Sequence, residues 1–162
     1  MKIQYTLVLF ALFILNCKNA NTPNYDFGNY TYSTTGVRND QNGTLLVKTM
    51  ATGKNYEEVK KNALRKTLLD VMLKGITNGC SDCKKDPLFL NRQNDPKTKY
   101  FVQNFFENKD VLEKYATITT ELATWEQKRD LKYTQNQPFG FEVLVKYEDL
   151  KHLIKTSVLY EN

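Results

Sequence analysis

The chain has 162 residues, 41% of them hydrophobic and 25% charged, with a formal net charge of +5. That is enough apolar material for the core of one ordinary domain, typically ~100–150 residues. The positive charge is spread out, with Lys60-Lys61 and Lys84-Lys85 the only Lys-Lys pairs, whereas a nucleic-acid reader shows a clustered basic face, so no nucleic-acid partner is expected.

Lys2 precedes a nearly unbroken apolar run, Ile3 to Leu15, which reaches Asn16-Cys17 and then the polar run 18–24. A spanning helix needs ~20 apolar residues, whereas a signal-peptide apolar region has about 7–15; this run has the second length. An ordinary secretory signal with an incidental cysteine fits the same facts. The ending Ile14-Leu15-Asn16-Cys17 resembles the lipobox of bacterial lipoproteins. That resemblance implies a signal peptide over residues 1–16, cleavage before Cys17, and fatty acid (palmitate) on the new N-terminal cysteine. Lys18 is not the Asp that resembles an inner-membrane retention signal, so the resemblance places the protein on the periplasmic face of the outer membrane. Residues 17–24 then form a lipidated end and polar tether, and 25–162 a single periplasmic domain. Each buried lipid CH₂ contributes ~0.8 kcal/mol, and several chains anchor stably where one does not.

The aromatic and threonine content of Tyr25 to Thr35 predicts a strand. Asp40-Gln41-Asn42-Gly43 predicts a hairpin turn, because Asn and Gly tolerate positive φ, and Thr44 to Met50 is the returning strand. Asn55 followed three residues later by Glu58 is an Asn variant of the capping box. It opens a helix over Tyr56 to Ile76, with Val59, Ala63, Leu64, Leu68, Val71, Met72 and Ile76 at helical spacing. Lys60, Lys61, Arg65 and Lys66 are expected on its wet side. Leu69 and Leu73 widen the apolar stripe toward the end, so that half should be covered on all sides, by the chain's own later helices. Gly75 or Gly79 should stop the helix.

Asp95-Pro96 predicts a second helix start. The aromatic residues that follow, Tyr100, Phe101, Phe105 and Phe106, are expected in the core over the first helix. Val111, Leu112 and Tyr115 suggest a short helical turn. From Ala116 to Thr124 the apolar period changes to two, the mark of a half-buried strand. Trp125 to Tyr133 carries five charged side chains (Glu126, Lys128, Arg129, Asp130, Lys132) and reads as exposed strand or bend. Residues 135–140 read as a turn. Phe141, Val143, Val145 and Tyr147 predict a strand with one apolar face, and Glu148-Asp149 opens a short helix. Ser157 to Tyr160 would add an edge strand or fray. The expected fold is α+β: a two-layer antiparallel sheet with helices on one face, in the order ββα, helical insert, ββα.

Cys80-Ser81-Asp82-Cys83 admits several readings. A thioredoxin-like pair should precede a helix, which stabilises a thiolate; this one follows a helix. A zinc site would need more ligands than the one histidine, His152, and no second cysteine pair supply. A structural disulfide in an oxidising compartment needs nothing further and is favoured; free thiols remain open. No Gly-rich phosphate loop, H-E-x-x-H or G-x-S-x-G is present. Glu57-Glu58 and Glu148-Asp149 both sit at helix starts, where the helix dipole explains them. No metal, cofactor or catalytic residue is therefore assigned, and an enzyme is not expected.

The strand, the Asn-capped helix with Lys-Lys-Asn-Ala-Leu-Arg, and the later strand into Tyr147-Glu148-Asp149-Leu150 resemble small envelope-assembly lipoproteins. Similar lipoproteins serve bacterial secretion systems, including the type VI apparatus of Bacteroidota. The resemblance implies a structural or adaptor subunit of an envelope-spanning assembly, partnered by outer-membrane lipid through Cys17 and by envelope proteins. Trp125 and Tyr133 are the candidate interaction residues, on a segment suited to β-augmentation. Two alternatives remain: an immunity, inhibitor or ligand-binding lipoprotein, and a thiol oxidoreductase acting through Cys80 and Cys83.

Overall fold

The computed structural model describes residues 33–108, 110–124, 127–128 and 137–159, with backbone alone at 158 and 159. In chain order the elements are β1 (Thr35–Asn39), β2 (Leu45–Ala51), α1 (Tyr56–Leu69), β3 (Asn78–Gly79), α2 (Pro96–Glu107), α3 (Val111–Tyr115), β4 (Ala116–Glu121), β5 (Phe139–Val145) and α4 (Tyr147–Ile154). The fold is α+β, as expected. The strands form one sheet in the order β3-β1-β2-β5-β4. The pairs β1–β2, β2–β5 and β5–β4 are antiparallel. The two-residue β3, which no periodicity announces, runs parallel to β1, so the sheet is mixed rather than purely antiparallel.

The turn 40–43 closes as its sequence requires. Asp40 donates to Thr44 O at 2.9 Å, Gly43 donates to Asp40 O at 3.2 Å, and Gly43 has φ +82°. The strand leading into it, β1, starts at Thr35, where the sequence reading had its strand end; Tyr25 to Tyr32 lie outside the described residues.

The registers of β2 and β5 place Leu45, Val47, Thr49 and Ala51 opposite Val145, Val143, Phe141 and Phe139. All eight are buried, and they form the floor of the core. The alternate positions put Leu46, Lys48 and Met50 opposite Leu144, Glu142 and Gly140 on the other face. Period two thus sorts side chains as the strand pleat demands. Tyr147 falls outside the pattern: β5 ends at Val145, and Tyr147 is the first residue of α4.

Helix α1 crosses the core face and contacts β2, β4 and β5. Its start is capped reciprocally: Glu58 N donates to Asn55 Oδ1, and Lys54 N donates to the Glu58 carboxylate, both at 2.9 Å. The helix does not run evenly to Ile76. After Leu69 it widens into a π-helical turn, Asp70–Lys74, in which Gly75 N–H donates to Asp70 O at 2.7 Å. Widening leaves carbonyls for outside donors. Val71 O accepts from Leu88 N at 3.3 Å and Met72 O from Phe89 N at 2.9 Å. The loop after the cysteines is thereby clipped onto α1, with Phe89 1% exposed.

The outer side of α1 is closed by the chain itself, as the wide apolar stripe implied. Phe89, Val102, Phe105, Phe106, Leu112 and Tyr115 join the same buried cluster as Leu64, Leu68 and Met72. Arg65 lies 5.2 Å from the Phe106 ring centroid. The expectation for α2 holds for Phe105 and Phe106, holds in part for Phe101, which is half-buried against the core, and fails for Tyr100, which is 69% exposed. Residues 155–159 continue α4 as another π-helical turn and form neither an edge strand nor a frayed end.

Candidate functional site

Of the residues singled out in the sequence, Cys17, Trp125 and Tyr133 lie outside the described residues. Cys80 and Cys83 stand at disulfide distance, with Cα atoms 5.1 Å apart, around the short 3₁₀ turn Ser81–Cys83. Cys83 is fully buried and Cys80 N donates to Gly36 O at 3.1 Å, so the pair staples the end of β3 to β1. A bridge across so short a loop constrains the unfolded chain weakly. Reduction with dithiothreitol should lower unfolding stability by no more than about 2 kcal/mol, read as a small shift in the urea midpoint.

His152 is exposed. Glu57 pairs with Lys60 at 2.8 Å and Glu148 with Lys151 at 3.2 Å, each within one helical turn. Among the described residues no group of three or more His, Cys, Asp or Glu is placed to hold a metal ion. Nor is any helix among them long and apolar enough to cross a membrane.

A polar cluster inside the core overturns one expectation. Lys66 is buried, its side chain 3% exposed, rather than on the wet side of α1. Its ammonium lies 2.7 Å from Asp70 Oδ2, one helical turn on. Thr34 Oγ1 donates to the same oxygen at 2.5 Å and lies 3.4 Å from Thr49 Oγ1. Lys74 reaches the other Asp70 oxygen, Oδ1, at 3.5 Å from the partly exposed side. The cluster joins the start of β1, the middle of β2 and the end of α1. A signal was present in the sequence: Lys66 and Asp70 are spaced i,i+4 in the half of the helix whose apolar stripe closes into a circumference. A charged residue there has nowhere wet to go unless a partner meets it inside.

The second feature is the free side of β4. This strand ends the sheet, and among the described residues no strand pairs with its outer edge. Lys146 N donates to Tyr115 O and Leu122 N to Gly140 O, both at 2.9 Å. Antiparallel alternation therefore turns the peptide groups of Ala116, Ile118 and Glu121 outward. A bulge between Ile118 and Thr120 breaks the regular alternation expected for Ala116 to Thr124. It brings Glu121 opposite core-facing Phe141.

Edge strands are commonly guarded by lysine, proline, short length or a bulge. The bulge of β4 lies past Ile118, leaving Ala116 to Ile118 regular. Ala116-Thr117-Ile118-Thr119-Thr120-Glu121 has neither lysine nor proline. A groove of about 690 Å³ runs between this edge and α1. Leu64, Lys60 and Lys61 wall it on α1, Leu112 on α3, and Ala116 and Ile118 on β4.

At the far end of the edge Lys128 Nζ lies 2.5 Å from Glu121 Oε2 and 4.9 Å from the Tyr56 ring centroid. The Lys128 ammonium, donating to Glu121, holds that carboxyl below its ordinary value. Burial, followed by the neighbouring Glu121 carboxylate, raises the Tyr56 phenol. This ties the start of the segment that carries Trp125 to the helix α1 wall.

Protein-family models, curated proteins and solved structures were all compared with the chain, and none matches it.

Proposed function

We propose that this chain is a non-enzymatic lipoprotein of the outer membrane, tied to the bilayer through acylated Cys17. In this reading it is a structural adaptor subunit of an envelope-spanning assembly of the secretion-system kind. The observation that carries the adaptor role is the outer edge of β4, unpaired among the described residues, with a groove beside it. A strand added there gains main-chain hydrogen bonds from the outward peptide groups of Ala116, Ile118 and Glu121. Alternate side chains of the added strand enter the groove between β4 and α1. Its occupant is an extended segment of an envelope protein rich in β-branched residues, matching the threonines of β4. The apolar run ending at Cys17 supports the address, since several acyl chains on one cysteine hold a domain of this size stably.

The test is made in cells with a photo-crosslinking residue at Thr117 or Thr119, both exposed. The expected product is a crosslink to an envelope protein, lost when the same probe replaces exposed Lys48, which lies on the interior strand β2, away from the β4 edge. Cys17→Ser should move the protein out of the membrane fraction and abolish the crosslink. A crosslink to one soluble protein instead, unaffected by Cys17→Ser, would replace the adaptor with an inhibitor or immunity role. No crosslink at either position removes the β4 edge as the docking site.

A further inference from the structure

A groove of about 380 Å³ lies on another part of the molecule, between the loop 84–88 and α4. Its floor is apolar and aromatic: Leu88, Ile154, which is 1% exposed, and the ring of Tyr147, which is 8% exposed. Its rim is basic. Lys85 Nζ lies 5.6 Å and Lys151 Nζ 5.8 Å from the centroid of that one ring. Lys84 and Lys155 complete the lining. The countercharges are Asp86 in the same lining and Glu148, which pairs with Lys151 at 3.2 Å. Four ammonium groups against two carboxylates leave a surplus of two (4 − 2) in one concavity.

Both walls are held before any ligand arrives. Ile76 and Lys85 exchange two backbone hydrogen bonds, at 2.8 and 3.0 Å, and Glu148 N donates to Gly43 O at 3.1 Å. The lysines therefore converge on a fixed site rather than on a mobile loop. A concavity with like charges at the rim focuses the field on an incoming anion. Ammonium groups gathered over one aromatic ring, beside the apolar Leu88 and Ile154, place positive charge next to an apolar surface, as at a lipid–water interface.

We propose that this groove receives the phosphate of an anionic phospholipid headgroup from the leaflet that holds the anchor. The assignment rests on the reading of Cys17 as acylated and names what the domain touches once it is tethered. Sixteen residue steps separate Cys17 from Ser33, where the described structure begins. A chain spans at most ~3.3–3.6 Å per residue, so Ser33, where the domain begins, stays within about 55 Å of the membrane. Headgroups are consequently at high effective concentration, and a weak site is enough to fill. The volume suits one headgroup; an acidic protein partner would need a patch several times wider to form a stable interface.

The test uses the full, lipidated protein in two kinds of vesicle, zwitterionic phosphatidylcholine alone and the same lipid with phosphatidylglycerol. Amine acetylation is read lysine by lysine by mass spectrometry, and the acyl mass on the Cys17 peptide is read from the same digest. A lysine beside an anionic surface gains about fivefold in binding. Lys84, Lys85, Lys151 and Lys155 should therefore be acetylated about fivefold more slowly in the anionic vesicles, while Lys61 on α1 is unchanged. In Lys151→Glu the other three should lose that protection. Equal rates in the two vesicles, on a chain that carries its acyl mass, overturn the groove and leave the anchor standing. Absence of the acyl mass overturns the anchor and this assignment with it. Equal protection by inorganic pyrophosphate in zwitterionic vesicles would make the ligand a soluble anion and overturn the lipid.

Discussion

Asp70→Ala should lower unfolding stability by about 3–5 kcal/mol, the cost of stranding one partner of a buried ion pair. The Lys66 ammonium sits 2.7 Å from Asp70 Oδ2, with side chains only 3% and 6% exposed. Removing the carboxylate takes away the countercharge of an ammonium held in the core, and the hydroxyl of Thr34 at 3.3 Å carries no charge to replace it. Lys74 loses less, because its side chain is 42% exposed and can turn to water. A domain of this size loses a few degrees per kcal/mol, so melting should fall by roughly 10–20 °C. The comparison that isolates charge from packing is Lys66→Met combined with Asp70→Leu. That pair should recover most of the loss, since well-packed apolar side chains often equal a buried ion pair. A fall below about 1 kcal/mol for Asp70→Ala would mean that Lys66 reaches solvent once released. Under the proposed reading the position matters. The chain from Cys17 enters the described structure at Ser33, beside Thr34, so the cluster fastens to α1 the strand through which any pull from the anchor arrives.

How far the sequence speaks depends on whether a feature is local. The turn 40–43, the cap at Asn55, the Asp95-Pro96 helix start and the period-two pattern of β5 each depend on neighbours in the chain, and all are readable from it. Lys66 is readable only in part. Its i,i+4 spacing to Asp70 is local, but helical spacing also places it beside Arg65 and Lys61. Only Thr34 and Thr49, brought in from just before β1 and from β2, make its side dry. The bulge at Ile118/Thr120 is not readable, because it is set by pairing with β5, more than 20 residues away in the chain. Tyr147 continues the alternation of Phe141, Val143 and Val145 in sequence. It leaves the strand because Glu148 and Asp149 favour a helix start at the point where Glu148 N meets Gly43 O. The edge of β4 became a candidate site only when strand order put no described strand on its far side. The sequence had pointed to the neighbouring segment through Trp125 and Tyr133, beyond the described residues, and Lys128 links that segment back to β4 through Glu121.

Gly75→Ala is the substitution that couples fold and function most directly, and it should cost about 4 kcal/mol. Gly75 has φ +73° and ψ −177°, a region open essentially to glycine alone. Forcing a side chain into such a conformation costs about 1–3 kcal/mol. The space is closed as well. A Cβ there would stand 2.4 Å from Lys85 O, 2.8 Å from Pro87 N and 3.0 Å from Asp86 C, all backbone atoms that no rotamer change can move aside. Overpacking of this kind adds about 1–3 kcal/mol. The only relief is to push the loop 85–87 outward, which breaks the hydrogen bonds between Ile76 and Lys85 and carries Lys85 off the Tyr147 ring. Hydrogen exchange should then speed up at the Ile76 and Lys85 amides, while the β2–β5 amides stay protected until global unfolding. Gly140→Ala makes the same chemical change where the nearest neighbours are Leu122 side-chain atoms at 3.2 and 3.3 Å. Leu122 is 41% exposed, so its Cδ1 can turn away and its Cβ need yield only a few tenths of an ångström. That control should therefore cost under about 1 kcal/mol. If the two variants melted alike, the clash at Gly75 would not be what holds the 85–87 loop in place. The fixed basic wall beside Tyr147 would then lose its structural footing too.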